Sequence, residues 1–97
     1  TIVAVNDLVA MGAVLACRER RLSCPGDISI TGYNDIPLID MMDPPLTTVA
    51  MDLARIGSGA AELLLQQLGA PAGAPALVRV PPALRIRASL ADAAGRT

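Results

Sequence analysis

A short apolar run, an Asn-Asp pair and a long uncharged helix open the sequence, and this succession constrains the fold more than any other feature. Residues 2–5 read IVAV, which is typical of a strand covered on both faces in a parallel sheet. Asn6 or Asp7 can then cap a helix by accepting a backbone N–H. A helix over residues 8–22 and a second strand over residues 28–33 complete one βαβ unit. The pattern predicts an α/β, Rossmann-like fold with a parallel sheet.

The rest of the chain predicts one further helix and several short segments. Residues 38–42 can form one helical turn, and residues 46–49 can form a short strand or crossover. Apolar side chains recur every three or four positions over residues 52–68, which predicts an amphipathic helix lying on a sheet. Residues 69–76, GAPAGAPA, have no anchoring side chain and are the best candidate for a connection between lobes. Two strand-like segments and a frayed tail follow, at residues 77–80, 84–87 and 91–97.

Composition excludes several kinds of function. The sequence contains 8 basic and 9 acidic residues, for a net charge of −1, whereas a surface that holds a phosphate backbone is usually strongly basic. The chain itself is therefore not expected to bind nucleic acid. It contains no His, and Cys17 and Cys24 do not form a CxxC pair, so no metal site, cofactor or Cys-His nucleophile is predicted. Two reduced, small apolar cysteines are the expectation.

The sequence also lacks the parts of an enzyme and of a membrane protein. Ser58 lies between two glycines in a helical stretch rather than in a GxSxG elbow, so no catalytic residue is assigned and no enzyme is expected. There is no basic-then-apolar leader and no uncharged stretch of about 20 residues that could cross a bilayer. A cytoplasmic location without a membrane partner is the default. The start at Thr1 rather than Met favours excision from a longer chain.

Two strand-end turns are the candidate ligand contacts, Asn6-Asp7 and Asn34-Asp35. In open parallel sheets, ligands bind beyond the carboxyl ends of strands, near helix N-termini. An Asn amide donates and accepts hydrogen bonds, and a carboxylate accepts from hydroxyls, which suits a polar, largely uncharged ligand. The alternative is a purely structural role, because such residues are common caps and turn formers. Asn6 and Asn34 are the favoured contacts, whereas Asp7 and Asp35 are expected mainly to cap and support.

The first predicted helix has no polar face, since no charged side chain occurs between Leu8 and Cys17. One interpretation is that another part of a longer chain covers it. The other is that its second face forms a subunit interface together with the apolar side chains of residues 38–42. The interface is the preferred interpretation, and it predicts a homodimer.

Four segments, taken in order, resemble the effector-binding region of bacterial LacI/GalR-type transcription regulators. They are the NDLVAMGA helix start, the PGDISITGYND strand and turn, the DPPLTTV crossover and the closing PPALRIRAS strand. The resemblance covers about residues 3–90 and implies a type I periplasmic-binding-protein-like fold, in which two α/β lobes hold an effector between them. By this likeness the chain is incomplete: residues 1–43 and 77–90 belong to the C-terminal lobe, residues 46–68 to the N-terminal lobe, and residues 69–76 are a linker.

The resemblance also implies roles for particular residues. Asn6 and Asn34 match effector contacts, and Leu53 matches a position that lines the cleft from the other lobe. Many relatives have Asp where this chain has Asn34, and Leu53 lacks the aromatic ring that could stack on a sugar. Dimer contacts of the family match five apolar residues, Met11, Val14, Leu38, Met41 and Met42.

The function implied by this likeness is effector sensing and dimerisation in a transcription regulator. The expected partners are a small, sugar-like effector and a second copy of the chain. DNA would be bound only through an N-terminal helix-turn-helix headpiece, which this sequence does not contain. The alternative is a fragment of a periplasmic sugar-binding protein of a transporter, which shares the fold but has no need of an apolar helix interface.

Overall fold

The computed structural model of the chain describes residues 1–70 and 73–93. These residues divide into two compact units. The first unit comprises Thr1–Ala50 together with the chain from Ala83, and the second unit comprises Met51–Pro82. The assignment of residues 1–43 and 77–90 to one lobe of a larger protein, and of residues 46–68 to the other, stays a prediction. Part of the predicted linker and the end of the predicted frayed tail lie outside the described residues.

The first unit begins with the predicted βαβ arrangement. It consists of β1 (Ile2–Val3), α1 (Asp7–Glu19) and β2 (Ile30–Thr31). The two strands are parallel, with Ile2 opposite Ile30, which confirms the predicted fold class. α1 ends before residue 22 because Arg21 adopts a left-handed backbone conformation (φ 57°) and the Leu22 amide turns back to the Cys17 carbonyl at 2.8 Å.

The buried side of α1 is a stripe of small and β-branched residues, Ala10, Val14 and Cys17, which recur at helical spacing. They pack into an aliphatic core whose other buried members are Ala4, Ile30, Ile39 and Leu46. Val14 is only 2% exposed. This corrects the expectation that Val14 faces a partner subunit, because its side chain is already used inside the chain.

β2 is bonded on both of its edges. After a 3-10 helix at Ile39–Met41, the chain forms β3 (Thr48–Ala50), which pairs antiparallel with β4 (Ala83–Arg85). Two parallel bridges, Thr31 with Thr47 and Asn34 with Ala50, attach the segment around β3 to the edge of β2 that β1 leaves open. The ends of β1, β2 and β3 are thereby brought into one layer, which positions the candidate site.

Buried hydrogen bonds attach the segment after β4 to this layer through Ser89. The Ser89 hydroxyl donates to the Ile30 carbonyl at 2.6 Å and accepts from the Thr47 amide at 2.8 Å. Ser89 and Thr47 are fully buried, and within the described residues every buried side-chain nitrogen or oxygen has a partner. A buried polar group without a hydrogen-bond partner costs free energy. These hydrogen bonds therefore allow polar side chains to be buried in so small a core.

The second unit contains α2 (Leu53–Gly69), which begins where the Asp52 carboxylate accepts from the Arg55 amide at 3.0 Å. None of the residues of α2 is buried, so within its own unit the helix is not packed on a sheet. The predicted strand at residues 77–80 is wrong, since these residues form no strand. The two prolines that follow, Pro81 and Pro82, have no N–H to donate to a neighbouring strand. No helix among the described residues is long and apolar enough to span a membrane.

The contact of Gly32 with Asp7 yields a test of this packing. A Cβ atom at Gly32 would overlap the Asp7 carboxylate and approach Leu46 Cδ2 to 2.8 Å. We expect Gly32→Ala to lower the free energy of unfolding by about 1–3 kcal/mol through overpacking. The measurement is urea denaturation.

The matched control is Gly12→Ala in α1, where a Cβ atom meets nothing within 4 Å. Removing a helical glycine there is expected to be neutral or to stabilise the chain by up to about 1 kcal/mol. Equal effects of the two substitutions would contradict the packing described for Gly32.

Candidate ligand-binding site

The two Asn-Asp pairs lie side by side at the carboxyl ends of β1 and β2. These strands pair in parallel as far as Val3 and Thr31, three residues before each Asn. Beyond this pair the Asp7 amide donates to the Tyr33 carbonyl at 3.1 Å, which joins the two turns directly. Since neighbouring strands are about 4.8 Å apart, the partly exposed side chains of Asn6 and Asn34 can reach one small molecule.

Asn6, rather than Asp7, is the cap of α1. Its backbone is extended (φ −155°), and its Oδ1 accepts from the Val9 amide at 2.9 Å. The Asn6 side chain is half-buried. Its Nδ2 group has no partner in the part of the chain that the structure describes. The oxygen of Asn6 is therefore committed to the helix, while two N–H donors remain available.

Asn34 and Asp35 both adopt left-handed backbone conformations, with φ of 110° and 53°. Asn and Asp tolerate this region better than other residues with a Cβ, yet two in succession require support from their surroundings. The Asn34 amide donates to the Val49 carbonyl at 2.9 Å, and the Asp35 amide donates to Thr48 Oγ1 at 3.3 Å. The Asn34 side-chain amide bonds to no other described residue, so it too is available.

The Asp7 carboxylate is entirely enclosed and acts inside the chain. Its Oδ2 accepts from the Ile36 amide at 2.8 Å, and its Oδ1 accepts from the Thr48 hydroxyl at 2.6 Å. With 0% exposure, Asp7 cannot reach a ligand without opening the turn. It connects the start of α1 to the loop after β2 and to β3.

The Asp35 carboxylate is held by Arg87. Arg87 Nη1 donates to Asp35 Oδ1 at 2.8 Å and to the Leu46 carbonyl at 3.0 Å. Both charged side chains are less than one quarter exposed. The hydrogen bond to Asp35 raises the pKa of Arg87 above its ordinary value, which favours the charged guanidinium.

The five predicted interface residues differ in how exposed they are. Leu38 and Met41 are 72% and 77% exposed, and Leu38 has a left-handed backbone (φ 70°). Met11 and Met42 are half-buried against the core, and Val14 lies within it. The face of α1 away from the core instead exposes Leu8, Val9 and Leu15.

Several residues of the site were not singled out by sequence. Thr48 and Arg87 belong to it through contacts with Asp7 and Asp35. The only local hints are the consecutive threonines and the alternation of the closing strand, which puts Arg87 on its polar face. Leu53, the first residue of α2 and 65% exposed, lies in the second unit, and its cleft-lining role stays a prediction.

Burial raises the pKa of the Cys24 thiol, which disfavours its reactive thiolate form. Among residues 1–70 and 73–93, no three acidic, His or Cys side chains are grouped closely enough to hold a metal ion.

The enclosed carboxylate of Asp7 can be tested by substitution. Asp7→Ala leaves the Thr48 hydroxyl and the Ile36 amide without an acceptor, so the free energy of unfolding should fall by about 2–5 kcal/mol. Asp7→Asn should cost less, because the amide oxygen can accept from Ile36 while Thr48 rotates to accept from the new N–H. Asp40→Ala, at an exposed carboxylate of the first unit, is the control and should change stability by less than about 0.5 kcal/mol. Equal losses from Asp7→Ala and Asp40→Ala in chemical denaturation would refute the support role.

Comparison with known proteins places this geometry in a family. The periplasmic binding protein-like domain matches residues 1–90. The transcriptional regulator MalR of Streptomyces coelicolor is 37% identical over 94 residues, which cover 97% of this chain and 27% of that protein. The lactose operon repressor of Rhizobium radiobacter is 43% identical over 67 residues, covering 69% of this chain and 59% of the relative.

Solved structures give the same result. A LacI family regulator from Enterococcus faecalis with bound ribose superposes with a TM-score of 0.86 and 34% identity, over 93% of this chain and 34% of that one. The lac repressor dimer bound to operator and an anti-inducer superposes with a TM-score of 0.80 and 31% identity, over 91% and 30% of the two chains.

This chain spans about a quarter of the length of MalR and about a third of these solved chains. The similarity nevertheless includes nearly all of its own residues, and the relatives are named as transcription regulators. The fold and the family resemblance predicted from sequence are thereby confirmed. The chain belongs to the periplasmic binding protein-like domain family, in the form found in LacI/GalR-type transcription regulators.

Proposed function

We propose that this chain forms one wall of an effector site in a LacI-type transcription regulator, with Asn6 and Asn34 contacting a small, polar, uncharged ligand. One observation carries the proposal: two side-chain amides with unused hydrogen-bonding capacity lie in adjacent turns at the carboxyl ends of parallel strands. This is the edge at which open α/β sheets bind ligands.

The chemistry of the edge favours hydroxyl groups over charged groups on the ligand. Asn6 can donate from Nδ2, and Asn34 can both donate and accept, which matches a hydroxyl that does both. Of the two carboxylates in these turns, Asp35 is paired with Arg87, whereas Asp7 has only uncharged direct partners, so its negative charge disfavours an anionic ligand. A polyhydroxylated neutral molecule fits these constraints best.

The relatives support a sugar as the ligand class. Structures similar to this chain contain ribose, sucrose or lactose. By this likeness, the complete regulator would bind DNA through a separate helix-turn-helix region and act in the cytoplasm. Ligand binding would then alter DNA affinity by favouring one of two dimer geometries.

Dimerisation is the second part of the proposal. Leu38 and Met41 expose large apolar side chains, and Leu38 does so from an unfavourable left-handed backbone conformation. The outer face of α1 adds Leu8 and Leu15. Exposed apolar side chains in this number are typical of an interaction surface, and a second copy of the chain is the partner proposed here.

The ligand contacts are tested by variants that keep the local fold. Asn6→Asp preserves the shape and the helix cap but removes both N–H donors. Asn34→Gly removes the side chain and suits the left-handed backbone, in which Ala would be strained. In the complete protein, each should weaken sugar binding by about ten- to a hundredfold, which corresponds to about 1–3 kcal/mol for one lost hydrogen bond to ligand. The measurement is isothermal titration with ribose, sucrose and lactose.

Arg21→Gly is the matched control for Asn34→Gly. Arg21 is exposed and also left-handed, at the far end of α1. Its replacement gives the same backbone relief without touching the site, so sugar affinity and operator binding should stay unchanged. Unaltered sugar response in both Asn6→Asp and Asn34→Gly would end the assignment of the ligand contacts.

The interface is tested by making its exposed apolar residues polar. Leu38→Asn keeps a residue that tolerates the left-handed region, and Met41→Gln keeps the side-chain length. The double variant should raise the dimer dissociation constant by about tenfold or more, because two apolar side chains lose their burial. Sedimentation equilibrium measures this constant, with Leu77→Asn, at an equally exposed position of the second unit, as control. A dimer of unchanged strength, or an unmutated protein that is monomeric, would contradict the interface.

A further inference from the structure

Arg87 contacts the turn that carries Asn34, one of the two proposed ligand contacts. Its backbone amide donates to Thr47 Oγ1 at 2.8 Å, which fixes the chain just beyond β4. Its guanidinium then reaches Asp35 at 2.8 Å and the Leu46 carbonyl at 3.0 Å. The Arg87 side chain thus connects the turn after β2 to the segment that leads into β3.

The turn that Arg87 contacts is held in an unfavourable conformation. Asn34 and Asp35 are both left-handed, and such residues persist only when the surrounding structure fixes them. The Asn34 amide donates to the Val49 carbonyl and the Asp35 amide donates to Thr48 Oγ1, so the turn is held through its backbone amides. Arg87 holds the turn through the Asp35 side chain. Among the described residues, Arg87 is the one that bonds this carboxylate.

Charge makes this contact hard to replace. The carboxylates of Asp35, Asp40 and Asp7 all act on the Arg87 guanidinium, with Asp35 the strongest. Asp7 is fully enclosed with only uncharged donors, the Thr48 hydroxyl and the Ile36 amide, as direct partners. Without the guanidinium, Asp35 and Asp7 would repel each other across the turn, and Asp35 would move toward water.

We propose that Arg87 is a positioning residue for ligand recognition, which holds Asn34 in its binding geometry by fixing the Asp35 carboxylate. The proposal rests on the assignment of Asn34 as a ligand contact. Arg87 does not itself touch the ligand. Its contribution is to remove the conformational freedom that the turn would otherwise lose on binding.

The test compares Arg87→Met and Arg87→Lys in the complete protein. Arg87→Met keeps the length of the side chain but removes its charge and donors, and should weaken binding of ribose, sucrose or lactose by about tenfold. Arg87→Lys keeps a cation able to reach Asp35 and should restore most of the affinity. Amide hydrogen exchange at Asn34 and Asp35 should become faster in Arg87→Met and return toward the original rate in Arg87→Lys.

Arg85→Met provides the matched control. Arg85 is an exposed arginine of β4, so the chemical change is identical while the turn is untouched. Sugar affinity and exchange at Asn34 should match those of the unmutated protein. Binding is measured well below the unfolding temperature, so that a variant that is only less stable still binds normally.

Three outcomes separate the proposals. Unchanged affinity in Arg87→Met, while Asn34→Gly abolishes binding, overturns the positioning role and leaves the ligand contact intact. Unchanged affinity in both overturns the ligand contact as well. If Arg87→Met does not fold, Asp35→Gly replaces it, because it removes the carboxylate that Arg87 holds and suits the left-handed backbone. An affinity loss below about twofold in that variant overturns the proposal.

Discussion

The enclosed carboxylate of Asp7 is the interaction on which the rest of the first unit depends. Burying a carboxylate costs several kcal/mol unless its oxygens accept hydrogen bonds, and here they accept from Ile36 and Thr48. Those two donors lie on different segments, so satisfying one side chain fixes the start of α1, the loop after β2 and the start of β3. Gly32 follows from the same constraint, because no Cβ fits against this carboxylate. The adjacency of the two turns that carry Asn6 and Asn34 is a consequence of this packing.

Local patterns were sufficient to predict the βαβ unit, both helices and the two turns, since strand and helix periods and capping residues act over a few positions. They could not identify which residue of the first pair caps, because Asn and Asp cap about equally well. Local chemistry also failed at Val14. A helix without charged residues carries no mark of which side is buried, and the side formed by Ala10, Val14 and Cys17 was chosen by packing on β2.

Contacts between distant parts of the chain account for what the sequence could not predict. Arg87 is 52 residues from Asp35, and Thr48 is 41 residues from Asp7. Nothing in either residue's neighbourhood indicates its partner, and an arginine on an exposed strand has the same local pattern as Arg87. The wrong strand at residues 77–80 has a related cause: a β-type pattern forms a strand only where a partner is available.

The identity of Asn34 is not by itself evidence of ligand binding. Its backbone lies at φ 110°, so Asn, Asp and Gly are the residues that the fold accepts most readily there. This backbone constraint alone would favour Asn at that position, even in a protein that bound no ligand. What distinguishes Asn34 from Asp35 is how its side chain is used: the Asp35 carboxylate is engaged by Arg87, whereas no described residue bonds the Asn34 amide. The same distinction exists within the Asn6 side chain: its Oδ1 accepts from the Val9 amide of α1, while its Nδ2 remains able to donate. Side-chain amides with unused hydrogen-bonding capacity, next to carboxylates already engaged by Arg87 and Thr48, are therefore the physical basis for assigning ligand contact to these two residues.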